Sequence, residues 1–310
     1  MVIRQLLYLA ALAREKHFGR AAASCNVTQP TLSAAIQQLE EELGVPIVER
    51  GQRFKGLTPE GLRVLDWAHR ILADCDALTQ ELSEMRQGLT GRLRLGAIPA
   101  ALPAVSLVTT PFCIQHPRVN ITILSQSSIE IQRALDAFEI DIAITYLDNE
   151  PLINVRAHPL YRERYIFLTS DTGPFARRET LTWAEAAAVP LCLLTPDMQN
   201  RRIINGIFRS VNQAPQPAIE TDSMVALCSY VSSGHWSSVM PHTVLHLFGV
   251  PVGMRAIRLV EPEPTHEIGL VVANRAPEPP LARALLASTM AQDFQSALDL
   301  SLSRYAALSV

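Results

Sequence analysis

The sequence predicts an α/β protein carrying an N-terminal all-α winged helix-turn-helix and a C-terminal α/β domain of two lobes. Three observations predict it. The first 90 or so residues space their apolar side chains for helices. Beyond Gly91 the texture changes to short strands alternating with helices, and that alternation starts twice. At 310 residues, 48% hydrophobic and 18% charged, the chain is globular in composition and too long for one ordinary core. The expected divisions are 1–58 for the winged helix-turn-helix and 59–88 for a linker helix. Residues 91–162 with 267–300 should form one lobe, and 163–266 the other.

Leu6, Leu9 and Ala13, then Ala21, Ala22 and Cys25, fit helix faces meeting in a small core. The run Leu6 to Ala13 behind Arg4 imitates a secretory leader ending in A-x-A. It is short, has one basic residue before it and continues into the helical pattern, so a buried first helix is expected. Asn26-Val27-Thr28 breaks the pattern. Thr28 suits an N-cap, and Pro30 is tolerated in the first turn of the next helix. Leu32, Ile36, Leu39 and Leu43 then form one apolar stripe, which Gly44 closes. Two short helices joined by a tight turn make a helix-turn-helix.

Val45 to Arg50 and Lys55 to Thr58 bracket a turn at Gly51, which suits a small hairpin, the wing. Thr58 and Pro59 restart a helix that should reach about Gln87. Leu65, Ala68, Leu72, Cys75, Thr79 and Leu82 alternate spacings of three and four, widened by Ile71, Leu78 and Met85. This face could pack on its own chain. Pairing with a second chain is favoured, because a lone helix would leave the stripe wet and DNA half-sites require a two-fold dimer.

Arg92–Ile98 reads as a strand, Pro99–His116 as a helix, Val119–Leu124 as a strand, Ser128–Phe138 as an amphipathic helix and Asp141–Tyr146 as a third strand. Such β-α-β units imply a parallel sheet covered on both sides. The pattern restarts at Arg164–Leu168 and continues through Leu191–Leu194, Ile203–Val211 and Val225–Val231. A last strand at Glu267–Val272 and a closing helix at Leu281–Ala297 follow. Two lobes in series suggest a cleft beyond the carboxyl ends of their strands.

The charge balance is 27 basic against 30 acidic residues, but it is uneven. Up to Thr58 there are seven basic residues and five acids, so a mildly basic front precedes an acidic body. Five scattered cysteines without a C-x-x-C read as reduced thiols of a cytoplasmic protein. No His/Cys group has metal-ligand spacing, no cofactor motif stands out, and no apolar run is long enough for a membrane span. The histidines are dispersed, with neither a nucleophile elbow nor a phosphate loop, which argues against an enzyme.

On the second helix of the helix-turn-helix, Gln29, Ser33 and Gln37 share the face opposite the apolar stripe, flanked by Thr31 and Ala34, and Pro30 in the first turn joins them as a candidate DNA contact. Gln bonds adenine bidentately in the major groove, and Ser or Thr reaches bases or phosphates. A merely solvated polar face is the competing reading. Strand-to-helix logic marks Pro99 and Ala100, Ser127 and Ser128, Tyr146, and Thr195 with Met198 and Gln199 as cleft residues. Helix N-termini there suit an anion, so a small acid held largely by backbone amides is expected. Ser127, Ser128 and Thr195 could equally be helix caps.

Phe18 to Ala22, Val27 to Ser33, Ile36 to Arg50 and Leu57 to Gly61 together resemble the signature of LysR-type transcription regulators. Weaker similarity continues through Gly96, Asp141 to Ile144, Glu220 to Ser223, Val231 to Gly234 and Pro241. The resemblance implies a tetrameric repressor or activator that binds double-stranded DNA and dimerises through the linker helix. Its C-terminal half would resemble periplasmic binding proteins and sense a small, often carboxylate-bearing effector, with RNA polymerase as a further partner. Ala34, Gln37 and Gln38 stand where that family often has basic residues. Phosphate contacts then fall to Arg50, Arg53, Lys55 and backbone amides, and modest non-specific affinity is expected. Trp236 replaces a usual Gly, and Ser237 a usual apolar residue. A solute-binding protein and a thiol-based redox sensor of the same family are the alternatives. The sensor is disfavoured because Cys192 and Cys228 lie 36 positions apart.

Overall fold

The apolar run that imitates a leader is helix α1 (Ile3–Glu15), with Leu6, Leu9 and Leu12 at most 2% exposed. This computed structural model describes residues 1–49, 54–290 and 292–307. It divides into two units, Met1–Gly88 with Asp136–Glu139, and Leu89–Leu135 with Ile140–Val310. In the first unit His17 caps α2 (Phe18–Ser24), its Nδ1 accepting from the amides of Gly19 and Arg20. Thr28 caps α3 (Gln29–Leu43), and Gly44 ends it at φ 69°, a conformation that favours glycine. Leu32, Ile36 and Leu39 are buried against α1 and α2, whereas Leu43 is exposed, so the apolar stripe stops one turn short of expectation.

Glu40 pins the chain that follows α3, its carboxylate accepting from the amides of Ile47 and Val48 at 2.6 and 2.9 Å. Val48 bridges Leu57, and the Glu49 amide donates to the Gly56 carbonyl, so the base of the wing is formed. The Gly51 turn lies outside the described residues. Thr58 caps the 29-residue α4 (Pro59–Gln87) through the Gly61 amide, and its hydroxyl donates to Pro46 O at 2.6 Å. Gly61 is required there, because a Cβ would stand 2.1 Å from the Ile47 carbonyl oxygen. The seam of α4 divides. Leu65, Ala68, Ile71 and Leu72 pack on Leu6, Leu9, Leu39 and Ile47 of the same chain. Leu78, Leu82 and Met85 are 53–80% exposed.

The second unit opens with β1 (Gly91–Ala97), α5 (Val105–Gln115), β2 (Val119–Ser125), α6 (Ser128–Asp136) and β3 (Ile142–Tyr146). Pro99 to Ala101 form a turn rather than the start of a helix, with the Ala101 amide donating to Ile98 O. Next come β4 (Val155–Glu163), β5 (Tyr165–Ser170), β6 (Thr180–Thr182), α7 (Trp183–Ala186), β7 (Cys192–Leu194) and α8 (Gln199–Ser210). They are followed by β8 (Ile219–Thr221), α9 (Met224–Ser232), β9 (Ser238–Pro241), α10 (Thr243–Phe248), β10 (Met254–Val260) and β11 (His266–Ala273). The expected closing helix is two, α11 (Pro280–Thr289) and α12 (Phe294–Ala307). Asp293 restarts the second by accepting from the amide and hydroxyl of Ser296.

The first sheet runs β2-β1-β3-β11-β4. Its β1, β2 and β3 are parallel, as the β-α-β pattern predicts, but β11 is antiparallel to both β3 and β4. The sheet is therefore mixed, because β11 arrives from the second lobe rather than through a helical crossover. The second sheet, β6-β10-β5-β9, pairs β10, β5 and β9 antiparallel, while β7 and β8 form a separate parallel pair. Strand β5 alternates its burial between two cores. Tyr165 and Phe167 join the large one shared with the first sheet, and Ile166 and Leu168 face a smaller one under α9 and α10.

Candidate functional site

On α3, burial of Leu32, Ile36 and Leu39 fixes which face is free. Gln29, Pro30, Thr31, Ser33, Ala34, Gln37 and Gln38 are all exposed. Thr31 is partly engaged by the cap, its hydroxyl 2.8 Å from that of Thr28. Gln37 and Gln38 reach Glu41 and Glu42 one turn on. Gln29 and Ser33 sit in the first two turns, where a helix entering the major groove presents its N-terminal residues to base edges. Arg50 and Arg53, expected on the phosphates, lie outside the described residues.

In the second unit several strand ends and helix starts meet at one small cavity. Pro99, Ala100, Ser127, Ser128, Tyr146, Met198 and Gln199 line one cavity, joined by Ile98, Leu194 and Asn200. Thr195 stands outside its wall. The Thr195 amide donates to Thr221 O, and its carbonyl accepts from the Met198 amide in the turn that launches α8. The cavity holds about 10 Å³, on the order of one water. Ser127 is committed to capping: its hydroxyl accepts from the Glu130 amide, and Glu130 Oε2 accepts in return from both the amide and the hydroxyl of Ser127. Helix α8 differs, since Met198 at its N-cap offers no side-chain acceptor. Gln199 Oε1 is buried there without a partner.

Several bonds hold the two lobes together over this cavity. Gln199 Nε2 donates to Asn149 O, Arg202 Nε donates to Glu150 at 2.9 Å, and the Thr243 hydroxyl donates to Ala100 O at 2.9 Å. Behind the wall a chain runs through Tyr146. Asn200 Nδ2 donates to its hydroxyl at 2.8 Å, and the hydroxyl donates to Glu163 Oε1 at 2.5 Å. Glu163 is 0% exposed, with Oε2 unpartnered. Burial pushes its carboxyl up to about 8, opposed by the hydrogen bond from Tyr146. Burial likewise raises the Tyr146, Tyr161 and Tyr165 hydroxyls well above their usual range. The site therefore holds a carboxylic acid that keeps its proton at neutral pH. Trp236 and Ser237 lie elsewhere: Trp236 stacks edge-on with Tyr230, and the Ser237 hydroxyl pairs with that of Thr169.

Residues 3–62 match the model of the bacterial regulatory helix-turn-helix proteins of the lysR family, and residues 86–292 match the LysR substrate-binding domain. The chain belongs to the LysR family of transcription regulators. Among curated relatives, the regulator OxyR of Escherichia coli is 30% identical over 280 residues, covering 89% of this chain and 91% of OxyR. A hydrogen peroxide-inducible genes activator of Haemophilus influenzae is 28% identical over 96% of this chain and 99% of its own. An SDS degradation transcriptional activation protein of a Pseudomonas species is 32% identical over 78% and 80%. Among solved structures, a full-length OxyR variant of Pseudomonas aeruginosa superposes with TM-score 0.76 at 24% identity, covering 96% of this chain and 97% of that one. CbnR bound to its target DNA gives 0.67 at 21%, covering 94% and 99%. These structures share the fold.

As a LysR regulator the chain carries a DNA-binding head and an effector-binding domain. Sequence reasoning did not find Asn200, Glu163 or the Asn149-Glu150 latch. Asn200 follows Gln199 in the same helical turn, so extending the expected helix upstream of Ile203 would have found it. Glu163 carries no local signal, because only the sheet order brings it behind Tyr146.

Proposed function

We propose that this regulator reads its operator with Gln29, Pro30, Thr31, Ser33 and Gln37 and responds to a small organic acid admitted between the lobes. The observation that carries the effector reading is the start of α8. It opens on the cavity with no side-chain cap and with the buried Gln199 Oε1 unsatisfied. Unpaired amides at a helix N-terminus favour an anion. With about 10 Å³ available, the acid must part the lobes to enter, breaking the Asn149–Gln199 and Glu150–Arg202 contacts. Ligand binding and rearrangement of the subunits on DNA are thereby linked.

The exposed half of α4, with Leu78, Leu82 and Met85, supports dimerisation through the linker helix, and pairs of dimers would form a tetramer. The divisions 1–58, 59–88, 91–162 with 267–300, and 163–266 serve as working domains. Five unpaired thiols and a DNA partner suit the cytoplasm. Regulation without catalysis is the reading for the whole chain. No helix among the described residues is long and apolar enough to cross a membrane.

A thiol trigger is the second reading, raised by the Haemophilus influenzae relative named for hydrogen peroxide. The thiols speak against it. None of the cysteines lines the cavity, and burial pushes Cys192 up to about 11 and Cys228 upward as well. Footprinting on the DNA upstream of the protein's own gene, with and without a panel of small carboxylates, tests the proposal. A partly palindromic protected site whose extent shifts with one acid is expected. Protection indifferent to every acid would remove the carboxylate effector, and protection no better than on random DNA would remove operator recognition.

A further inference from the structure

A cavity far larger than the cleft, about 980 Å³, lies on the second lobe and is of the size that encloses small-molecule ligands. It follows from how β10 is paired. Strand β6 covers only Arg258 to Val260, so Arg255, Ala256 and Ile257 line the groove along an edge that β6 leaves open. Trp183 and Leu259 add apolar wall, and α12 contributes Asp299 and Leu300, the latter 59% exposed.

The charges are more specific than the size. Four guanidinium groups line the groove, against the three carboxylates of Glu179, Glu263 and Asp299. Three of the arginines already have acidic partners: Arg164 with Asp299 at 3.2 Å, Arg178 with Glu185 at 3.0 Å, and Arg258 with Glu263. Arg255 is half-buried, and its guanidinium has neither a hydrogen bond nor an ion pair among the described residues. With five N–H donors in a fixed fork and no acidic partner, this guanidinium offers the groove a ready place for a carboxylate. Arg255 is thus the one lining guanidinium without an acidic partner among the described residues, and it stands beside an apolar wall.

We propose that this groove is a second ligand site, separate from the cleft between the lobes, and that it takes an amphipathic monoanion. The carboxylate pairs with Arg255 through a two-pronged bond, and the aliphatic body lies along Trp183, Ile257 and Leu259. One carboxylate satisfies Arg255, whereas a neutral molecule would leave it without an acidic partner.

Octanoate is the probe, titrated calorimetrically into the full-length protein, with octanol as its neutral counterpart. Saturable binding of one octanoate per chain is expected, with octanol weaker by roughly tenfold or more. Arg255→Gln should weaken octanoate by a similar factor without lowering the melting temperature, since Arg255 holds nothing in place. Arg255→Lys should retain part of the affinity. Asn200→Ala, in the cleft, should leave octanoate binding unchanged. Equal binding of octanoate and octanol, an unaffected Arg255→Gln variant, or no saturable binding would each overturn the proposal. Loss of binding in Asn200→Ala alone would assign the acid to the cleft and leave the groove empty of function.

Discussion

The α3 face proposed to read DNA and the cleft proposed to take the effector are built oppositely. The α3 face is contained within nine consecutive residues, Gln29 to Gln37, and stands exposed with its backbone already capped and packed. The cleft draws on residues from Ile98 to Asn200 and is shut, its lobes joined by hydrogen bonds. A preformed face recognises by what it displays, whereas a closed cavity recognises by what can open it. The head should therefore fail when its scaffold is disturbed. The cleft should respond to proton and ligand.

The largest expected effect breaks the head. Gly61→Ala drives a Cβ to 2.1 Å from the Ile47 carbonyl oxygen, a backbone atom that cannot turn aside. The start of α4 must move, and the Thr58 cap and wing base move with it. A loss of about 3 kcal/mol or more is expected, seen as a lower urea midpoint together with lost DNA protection. Gly206→Ala is the control. It sits inside α8 with open space around its Cβ and should be neutral or stabilising by about 0.5–1 kcal/mol. Equal behaviour of the two variants would remove the close approach as a cause.

The next effect sharpens the cleft side. Glu163 rises from an ordinary 4.5 to about 8 in the folded protein. Between these values the folded state keeps a proton that the unfolded state has released. Stability therefore falls as pH rises from about 5 to 8 and levels off above that. Over the whole window the change is on the order of a few kcal/mol. Glu163→Gln keeps an acceptor for the Tyr146 hydroxyl but has nothing to titrate, so its melting temperature should vary less over pH 5 to 9. Parallel profiles for the two proteins would show that Glu163 ionises normally.

The same contrast explains what the sequence could reveal. Caps, stripe and turn residues of the head lie within one or two helical turns of the groups they serve, so Thr28, Gly44 and Thr58 are legible from spacing alone. The cleft positions were reachable because strand ends and helix starts coincide, which placed Tyr146 and Gln199 without knowledge of the sheet. Strand β4 was hidden by Pro159, which is tolerated beside the irregular pairing at Ile268 and Gly269. Strand β10 was hidden by Arg255 and Arg258, which interrupt its apolar pattern. The antiparallel β11 and the burial of Glu163 depend on pairings between residues about 100 or more positions apart, or 17 in the case of Tyr146 with Glu163. No local pattern encodes either.

A smaller effect separates base reading from phosphate binding. Gln29→Ala and Ser33→Ala remove exposed groups that support no internal contact of α3. Each should weaken operator binding by about 1–3 kcal/mol while leaving random-sequence binding and its salt dependence unchanged. Competition titrations at two salt concentrations measure this. If both variants lose operator and random DNA alike, the face serves the backbone and not the bases.

The smallest expected effect is none at all, and it discriminates most sharply against the thiol reading of the cleft domain. Oxidation begins from the thiolate, and a thiol held near 11 is ionised at pH 7 in roughly one molecule in ten thousand. Cys192 is moreover 0% exposed, and its thiol faces the carbonyls of Leu227 and Ser237, which repel a negative sulfur. Peroxide at sub-millimolar levels should therefore leave the footprint unchanged, and Cys192→Ser and Cys228→Ser should behave like the parent. A footprint that shifts with peroxide in the parent and not in Cys192→Ser would mean that the buried sulfur becomes accessible when the lobes part. The cleft would then be gated by oxidation rather than by an acid. Its closed geometry would still be the reason that the signal has to be strong enough to open it.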